Sequence, residues 1–261
     1  SSTTNPVYVA GRDVDGTAAG VASINISSLV ANNSVLYVSK AAAGATACST
    51  TASNCEIMVF SISSSTNPTY ITGRDASASA AGTQTLAVNN LTVNGSLLLA
   101  AKAGSATACS QTAGSAVGCE LMVFDISSTT NPTYVAGRDV TGDSTGVGNL
   151  GINFVAATGS LAYVAKAGSA TACSEVAGSA TGCELMVFDI SSTTNPVFMR
   201  GVDASLETSG ELSLSTTPIV VSTSTIMVGR AASAIPCEQI WNQRVGCELL
   251  LMKLPTTLTG T

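Results

Sequence analysis

The sequence contains no histidine, a single tryptophan, and charged residues at only 10% of its 261 positions. Each shortage closes off chemistry. Without imidazole there is no Ser-His-Asp or Cys-His nucleophile arrangement and no histidine ligand for a metal. Ten basic residues stand against sixteen acidic ones, for a net charge of −6. They form no basic cluster of the kind that tracks phosphate, so nucleic acid is not an expected partner. No apolar run approaches the ~20 residues that span a bilayer. No glycine-rich loop precedes a helical pattern to hold phosphate, and helix caps and a period of 3.6 are missing. Two carboxylates could still run glycosidase chemistry, but nothing singles out a pair. The expectation is a protein that is not an enzyme and carries no cofactor.

What the chain has instead is a repeat. Asn-Pro recurs about every 64 residues, at Asn5-Pro6, Asn67-Pro68, Asn131-Pro132 and Asn195-Pro196. Each copy leads to an aromatic residue (Tyr8, Tyr70, Tyr134, Phe198). Later come a basic residue (Lys40, Lys102, Lys166, Arg230), a cysteine pair, and a glutamate opening an apolar run (Glu56, Glu120, Glu184, Glu248). The units span approximately 6–67, 68–131, 132–195 and 196–261, and 1–261 reads as one domain. A period this long means one supersecondary unit repeated, each burying its faces against its neighbours.

The eight cysteines fall two per unit: Cys48/Cys55, Cys109/Cys119, Cys173/Cys183 and Cys237/Cys247. An even count at equivalent places reads as four local disulfides formed in an oxidising compartment. Zinc is the alternative, but it wants four ligands and each unit offers two sulfurs. The opening Ser1-Ser2-Thr3-Thr4-Asn5-Pro6 shows no signal-peptide pattern and reads as the start of a mature, secreted chain.

The third unit parses most cleanly. After Pro132, residues 133–139 form a short strand that suits an edge, because proline cannot donate to a ladder. Residues 146–157 alternate imperfectly, Thr158-Gly159-Ser160 supplies a turn as Asn94-Gly95-Ser96 does in the second unit, and 161–166 is the next strand. The cysteine-bounded loop follows. Then 184–190 runs apolar on both faces, as a strand buried from both sides does. Four short strands with tight turns predict a four-stranded antiparallel sheet, and radial packing of four such sheets is a four-bladed β-propeller. The expected fold class is therefore all-β.

Leu121-Met122-Val123-Phe124-Asp125-Ile126-Ser127 and Leu185-Met186-Val187-Phe188-Asp189-Ile190-Ser191, each followed by a Thr-rich stretch and Asn-Pro, resemble the LVIVD repeat of extracellular and cell-surface β-propellers. Residues 161–165, Leu-Ala-Tyr-Val-Ala, are similar to that family's Tyr-Ala-Tyr-Val-Ala strand. The resemblance covers all four units, with Ser61 and Lys253 replacing the aspartate in the first and last, and with units lengthened by the cysteine loop. It implies a propeller fold and an extracellular location, and no catalytic residues.

The ends are out of phase with the units. Residues 1–6 match the connections inside the chain, so strand 7–12 is a unit's last strand, while 248–254 is a unit's third. Strand 7–12 is expected to complete the sheet begun by the C-terminal unit, either within the molecule, closing a ring, or in a neighbour, building a head-to-tail fibre. Closure within the molecule is favoured by effective concentration.

Candidate site residues cluster at one end of each unit. Arg12-Asp13, Arg74-Asp75 and Arg138-Asp139 close the edge strands near Lys40, Lys102, Lys166 and Arg230 and near Glu56, Glu120, Glu184 and Glu248. Either this is a structural charge network repeated in every unit, Lys166 against Glu184 for example, or it is a polar ligand face. Asp13, Asp15, Asp139 and Asp143 sit in glycine-bearing loops but lack a dense calcium-binding pattern. Trp241 beside Arg244, in a fourth cysteine loop unlike the others, suits an interface contact or a cap over the last unit. Four N-glycosylation sequons, at Asn25, Asn32, Asn90 and Asn94, are unsurprising in so Ser/Thr-rich a chain. The expected partners are other copies of the chain, or an extracellular protein or glycan.

Overall fold

The computed structural model of the chain describes residues 8, 26–40, 48, 55–64, 66–75, 87–102, 109, 118–128, 131–139, 152–166, 173, 182–193, 195–202, 216–222, 224–230, 237 and 247–254. Among them there are fifteen strands and no helix. The first sheet holds β1 (Ile26–Asn32), β2 (Val35–Lys40), β3 (Ile57–Ser61) and β4 (Thr69–Arg74) in that order. The second holds β5 (Val88–Asn94), β6 (Leu97–Lys102), β7 (Leu121–Asp125) and β8 (Thr133–Arg138). The third holds β9 (Ile152–Thr158), β10 (Leu161–Lys166), β11 (Leu185–Asp189) and β12 (Val197–Val202). The fourth has three strands, β13 (Thr216–Val221), β14 (Thr225–Arg230) and β15 (Leu249–Lys253). Every pairing is antiparallel.

Local chemistry accounts for the repeated form. The first two strands of each four-stranded sheet are joined by two-residue turns whose first residue takes a positive φ: Asn33 (54°), Gly95 (60°) and Gly159 (57°). Asparagine and glycine tolerate that geometry best. The motif aspartate ends the third strand. Asp125 Oδ1 accepts from Ser127 N at 2.7 Å and Asp189 Oδ1 from Ser191 N at 2.8 Å, an Asx-type turn into the Asn-Pro crossover. In the first sheet Ser61 Oγ takes that place at 3.4 Å from Ser63 N.

The sheets pack in series. β1 packs on β5, β5 on β9 and β9 on β13, helped by β2, β6 and β10. Each seam is a hydrophobic cluster. Tyr37, Ile57 and Val59 of the first sheet meet Val88, Leu91, Met122 and Phe124 of the second. Leu99, Leu121 and Val123 meet Ile152, Val155 and Met186. Tyr163, Ala165 and Leu185 meet Ile219, Val228 and Leu250. Third strands such as Leu121–Asp125 are buried along almost their whole length because both faces meet a neighbour. Each buried Leu, Ile or Val contributes about 1.5–3 kcal/mol.

Among the described residues β1 and β13 do not form a seam like the others, so the series is not seen to return on itself as a ring would. The strand expected at 7–12 lies outside the described residues apart from Tyr8. That residue is 83% exposed, whereas its counterpart Tyr70 is half-buried in edge-to-face contact with Phe60.

Candidate functional site

The seams carry polar stitching that the repeat pattern alone does not reveal. The pairing of each sheet's first two strands slips at Ile26/Ser28, Val88/Asn90, Ala165/Lys166 and Thr216/Ile219. Such a bulge leaves one N–H outside the ladder. In the second sheet Leu91 N donates to Ser28 Oγ of the first at 3.2 Å, and in the third Val155 N donates to Asn90 Oδ1 of the second at 3.0 Å. Asn90 Nδ2 in turn donates to Ser28 Oγ at 3.2 Å. The equivalent positions further along are Phe154 and Pro218, which have no side-chain acceptor, so this stitch stops at the third sheet. Asn90 is 7% exposed and committed to these bonds, so its sequon is held inside a seam.

The charged residues divide into two systems. Lys40, Lys102 and Lys166 end the second strands and are 0–1% exposed, with Glu56, Glu120 and Glu184 at 0–2% and Asp75 and Asp139 at 6% and 3%. Backbone N–H groups of the three lysines donate to the carbonyls of Glu56, Glu120 and Glu184 at 2.8 Å, which sets each pair side by side. Burial pulls the Lys102 ammonium down from its ordinary value to about 8, against the opposing pull of Glu120 in its own sheet and of Glu56 and Asp75 in the sheet before. Lys166 is likewise drawn to about 8 by burial, against Glu184, Asp139 and Glu120. Lys102 and Lys166 thus each sit between the carboxylates of two successive sheets. These described lysines and their glutamates form a buried ladder, whereas Glu248 of the same recurring set is exposed.

The arginines do something else. Arg74 donates from Nε to Pro132 O at 2.5 Å and reaches Asn131 Oδ1, while Arg138 reaches Pro196 O and Asn195 Oδ1. The Arg that closes one edge strand therefore grips the Asn-Pro opening the next, which explains why both recur at one period. Desolvation lowers the Arg138 pKa. The equivalent residue of β12 is Val202, so that grip is not continued.

All four cysteine pairs are bonded within their units, as Cys48–Cys55, Cys109–Cys119, Cys173–Cys183 and Cys237–Cys247, and no described cysteine is free. The four local disulfides expected from the sequence are thus present, and the structure adds that the two ends of each bridge are unequal. The second cysteine of each bridge is a core residue: Cys55, Cys119 and Cys183 are 0% exposed and Cys247 is 6% exposed. Cys247 packs with Ile219, Val228 and Leu250 in the seam between the third and fourth sheets, as Cys119 and Cys183 do in the two seams before. The first cysteines lie further out, with Cys48, Cys109 and Cys173 half-buried and Cys237 exposed. The reason is position: the second cysteine directly precedes the glutamate that leads into the third strand, which is mostly buried in the first three sheets. Each bridge therefore ties the outer loop to the core.

The bridges also lie against the edge strands at a glycine. A Cβ at Gly73 would stand 2.3 Å from Cys55 Sγ, at Gly137 2.6 Å from Cys119 Sγ, and at Gly201 2.3 Å from Cys183 Sγ. For Cys247 the matching glycine is Gly11, in the segment 7–12.

The two ends of the series are the surfaces that depart from this regularity. Ile26 is 45% and Leu29 57% exposed on β1, yet their counterparts Val88 and Leu91, and Ile152 and Val155, are 0–4% exposed because a preceding sheet covers them. At the other end Leu249 is 62%, Leu251 56% and Val220 55% exposed, whereas Leu121 and Leu185 are 0–1%. Glu248 is exposed where Glu56, Glu120 and Glu184 are buried. The first sheet's end is only partly bare, since Val38, Met58 and Phe60 are buried beside Leu36, Cys48 and Tyr70. No helix among the described residues is long and apolar enough to cross a membrane.

Arg12, Asp13, Asp15, Asp143, Trp241, Arg244 and the Arg230 side chain lie outside the described residues, as does Asn25. The functionally suggestive residues that sequence reasoning missed are Ile26, Leu29, Val220, Leu249 and Leu251. They are ordinary repeat positions, distinguished only by being in the first or last unit.

No protein-family profile and no curated relative matches the chain. Among solved structures it is similar to the computationally designed Ika4 protein, at 10% identity over 96% of this chain and 100% of that one, TM-score 0.48. The designed Ika8 protein aligns at 12% identity over 78% of this chain and 42% of its own, TM-score 0.42. An extracellular domain of the putative one component system BT4673 from B. thetaiotaomicron aligns at 8% identity over 79% of this chain and 20% of its own, TM-score 0.39.

Proposed function

We propose that this chain is a non-enzymatic structural or adhesive subunit of an extracellular assembly, a filament or a surface layer, built on LVIVD-like, propeller-type blades. The observation that carries the reading is the pair of apolar end faces. Repeat proteins that stay monomeric shield their terminal units with polar caps, and here Leu29 and Leu249 lie in the open. Four intra-unit disulfides suit an oxidising, extracellular setting. A skin of Ser, Thr, Ala, Gly and Asn with few charges lets subunits approach without desolvating ions.

The second reading is a monomeric propeller that binds carbohydrate or protein, its ring closed within one chain by strand 7–12. It rests on the only tryptophan, Trp241, near Arg244 in a fourth cysteine loop unlike the rest. Size-exclusion chromatography and electron microscopy of purified protein separate the two. Concentration-dependent polymers support the assembly. Monodisperse particles of one chain at high concentration, with glycan binding lost in Trp241→Ala, establish the module instead.

A further inference from the structure

We infer that the assembly is a head-to-tail stack in which the outward face of the fourth sheet seats on β1 of a second copy, reproducing the seam that already joins neighbouring sheets inside the chain. The inference rests on the self-assembling reading above and specifies its interface. The occupant of each face is another copy, because the chain supplies three templates for the same contact. Ile57 shares a cluster with Leu91, Leu121 with Val155, and Leu185 with Ile219. The residues at the equivalent places in the next seam are Leu249 and Leu29, and these are 62% and 57% exposed.

Register across the sheet supports the same geometry. Val220, Met227 and Leu251 form one cross-strand row of the fourth sheet. The same row of the third sheet is Ala156, Tyr163 and Val187, which packs against the fourth. The row Val220–Leu251 therefore points away from the third sheet, toward wherever a fifth would be. At the other end Ile26 and Leu29 sit where Val88 and Leu91 meet a preceding sheet. One end thus offers the following-sheet face and the other, at β1, the part of the preceding-sheet face that is not already covered, so the contact is heterologous and propagates.

Charge points the same way at the fourth-sheet end. Glu56 and Glu120 lie within the field of the lysine of the following sheet, Lys102 and Lys166, and Glu248 is the exposed member of that series. Docking buries Glu248 as its three counterparts are buried.

Two single-end variants test this. In Leu29→Asp the first-sheet face is spoiled and the fourth-sheet face intact; in Leu249→Asp the reverse holds. Both positions are largely exposed, so circular dichroism and an intact mass showing no free thiols should match wild type, and Leu29→Ser with Leu249→Ser serve as milder forms. Wild type polymerises. Each variant alone runs as a single chain in analytical ultracentrifugation. An equimolar mixture of the two gives a 1:1 dimer and nothing larger, because one good interface remains. Variants that polymerise like wild type, or a mixture that stays monomeric while wild type polymerises, overturn the interface yet leave the assembly reading standing. A wild-type chain that is monomeric at every concentration overturns both.

Discussion

Gly137→Ala isolates the role of the disulfide in each unit. Gly137 lies on β8 opposite Met122, and its backbone φ is not in the left-handed region, so alanine is conformationally acceptable there. The obstacle is space. The new Cβ would stand 2.6 Å from Cys119 Sγ, 2.6 Å from Tyr134 Oη and 2.7 Å from Cys119 Cβ. Carbon–sulfur contacts at that range are deep in repulsion, and the neighbours are a bridged cysteine and a ring held edge-to-face by Phe124 at 5.9 Å. Overpacking of this kind costs about 1–3 kcal/mol, or roughly 3–10 °C in Tm for a chain of this size. Reducing the bridge lets Sγ rotate away, so the cost of the substitution should shrink when measured in Cys109→Ser/Cys119→Ser against that background alone. Thermal unfolding by circular dichroism reads all four chains. Gly95→Ala is the control: its Cβ meets nothing within 4 Å, and its penalty comes from φ of +60° alone, about 1–2 kcal/mol independent of the bridge. A Gly137→Ala chain as stable as wild type, or a penalty unchanged by removing the bridge, refutes the reasoning.

Asn90→Leu removes the acceptor of Val155 N and the donor to Ser28 Oγ; leaving a buried N–H unmet should cost about 1–3 kcal/mol, with faster hydrogen exchange at Val155 as the local readout. Stability should also rise with pH just above neutrality. Lys102 and Lys166 have folded pKa values near 8, below the ordinary 10.5, so between those limits the unfolded chain binds more protons and unfolding is increasingly disfavoured as pH climbs. The gain is on the order of 3 kcal/mol per lysine over the full window. Tyr134 does not interfere, because burial raises its pKa to about 12. A melting temperature that falls steadily from pH 8 to 9.5 would contradict the buried ladder.

Much of the architecture is readable in the residues because the period averages out local ambiguity. The turns Asn94-Gly95-Ser96 and Thr158-Gly159-Ser160, the third-strand runs and the cysteine pairs all recur, and the described strands fall where those signals put them, although 146–151 of the strand expected at 146–157 and most of that expected at 7–12 lie outside the described residues. The strand at 185–189 could be recognised as buried on both sides since apolar residues with no alternation have no solvent face. The charged groups were harder. Lys166 looks like any strand-end lysine; only the stacking of sheets shows that carboxylates of two units enclose it. Arg138 sits next to Asp139 in sequence, yet it reaches forward to Asn195 and Pro196, a contact that period alone cannot assign. The cysteines were legible as pairs but not as unequal partners: spacing gives the bridge, and only the packing shows Cys247 inside a seam with Cys237 outside it. The end faces were illegible for a different reason. Leu29 and Leu249 have the same character as their buried counterparts, and their exposure depends on what packs against them, which no single residue records.

The most direct test of end-to-end stacking is a chain carrying Leu29→Cys together with Leu249→Cys, treated with a short bismaleimide and run under denaturing conditions. The native bridges leave no competing free thiol among the described cysteines. Stacked copies give a ladder at multiples of 25.9 kDa, whereas a single-chain product linked to itself would mean that the fourth sheet closes on the first within one molecule.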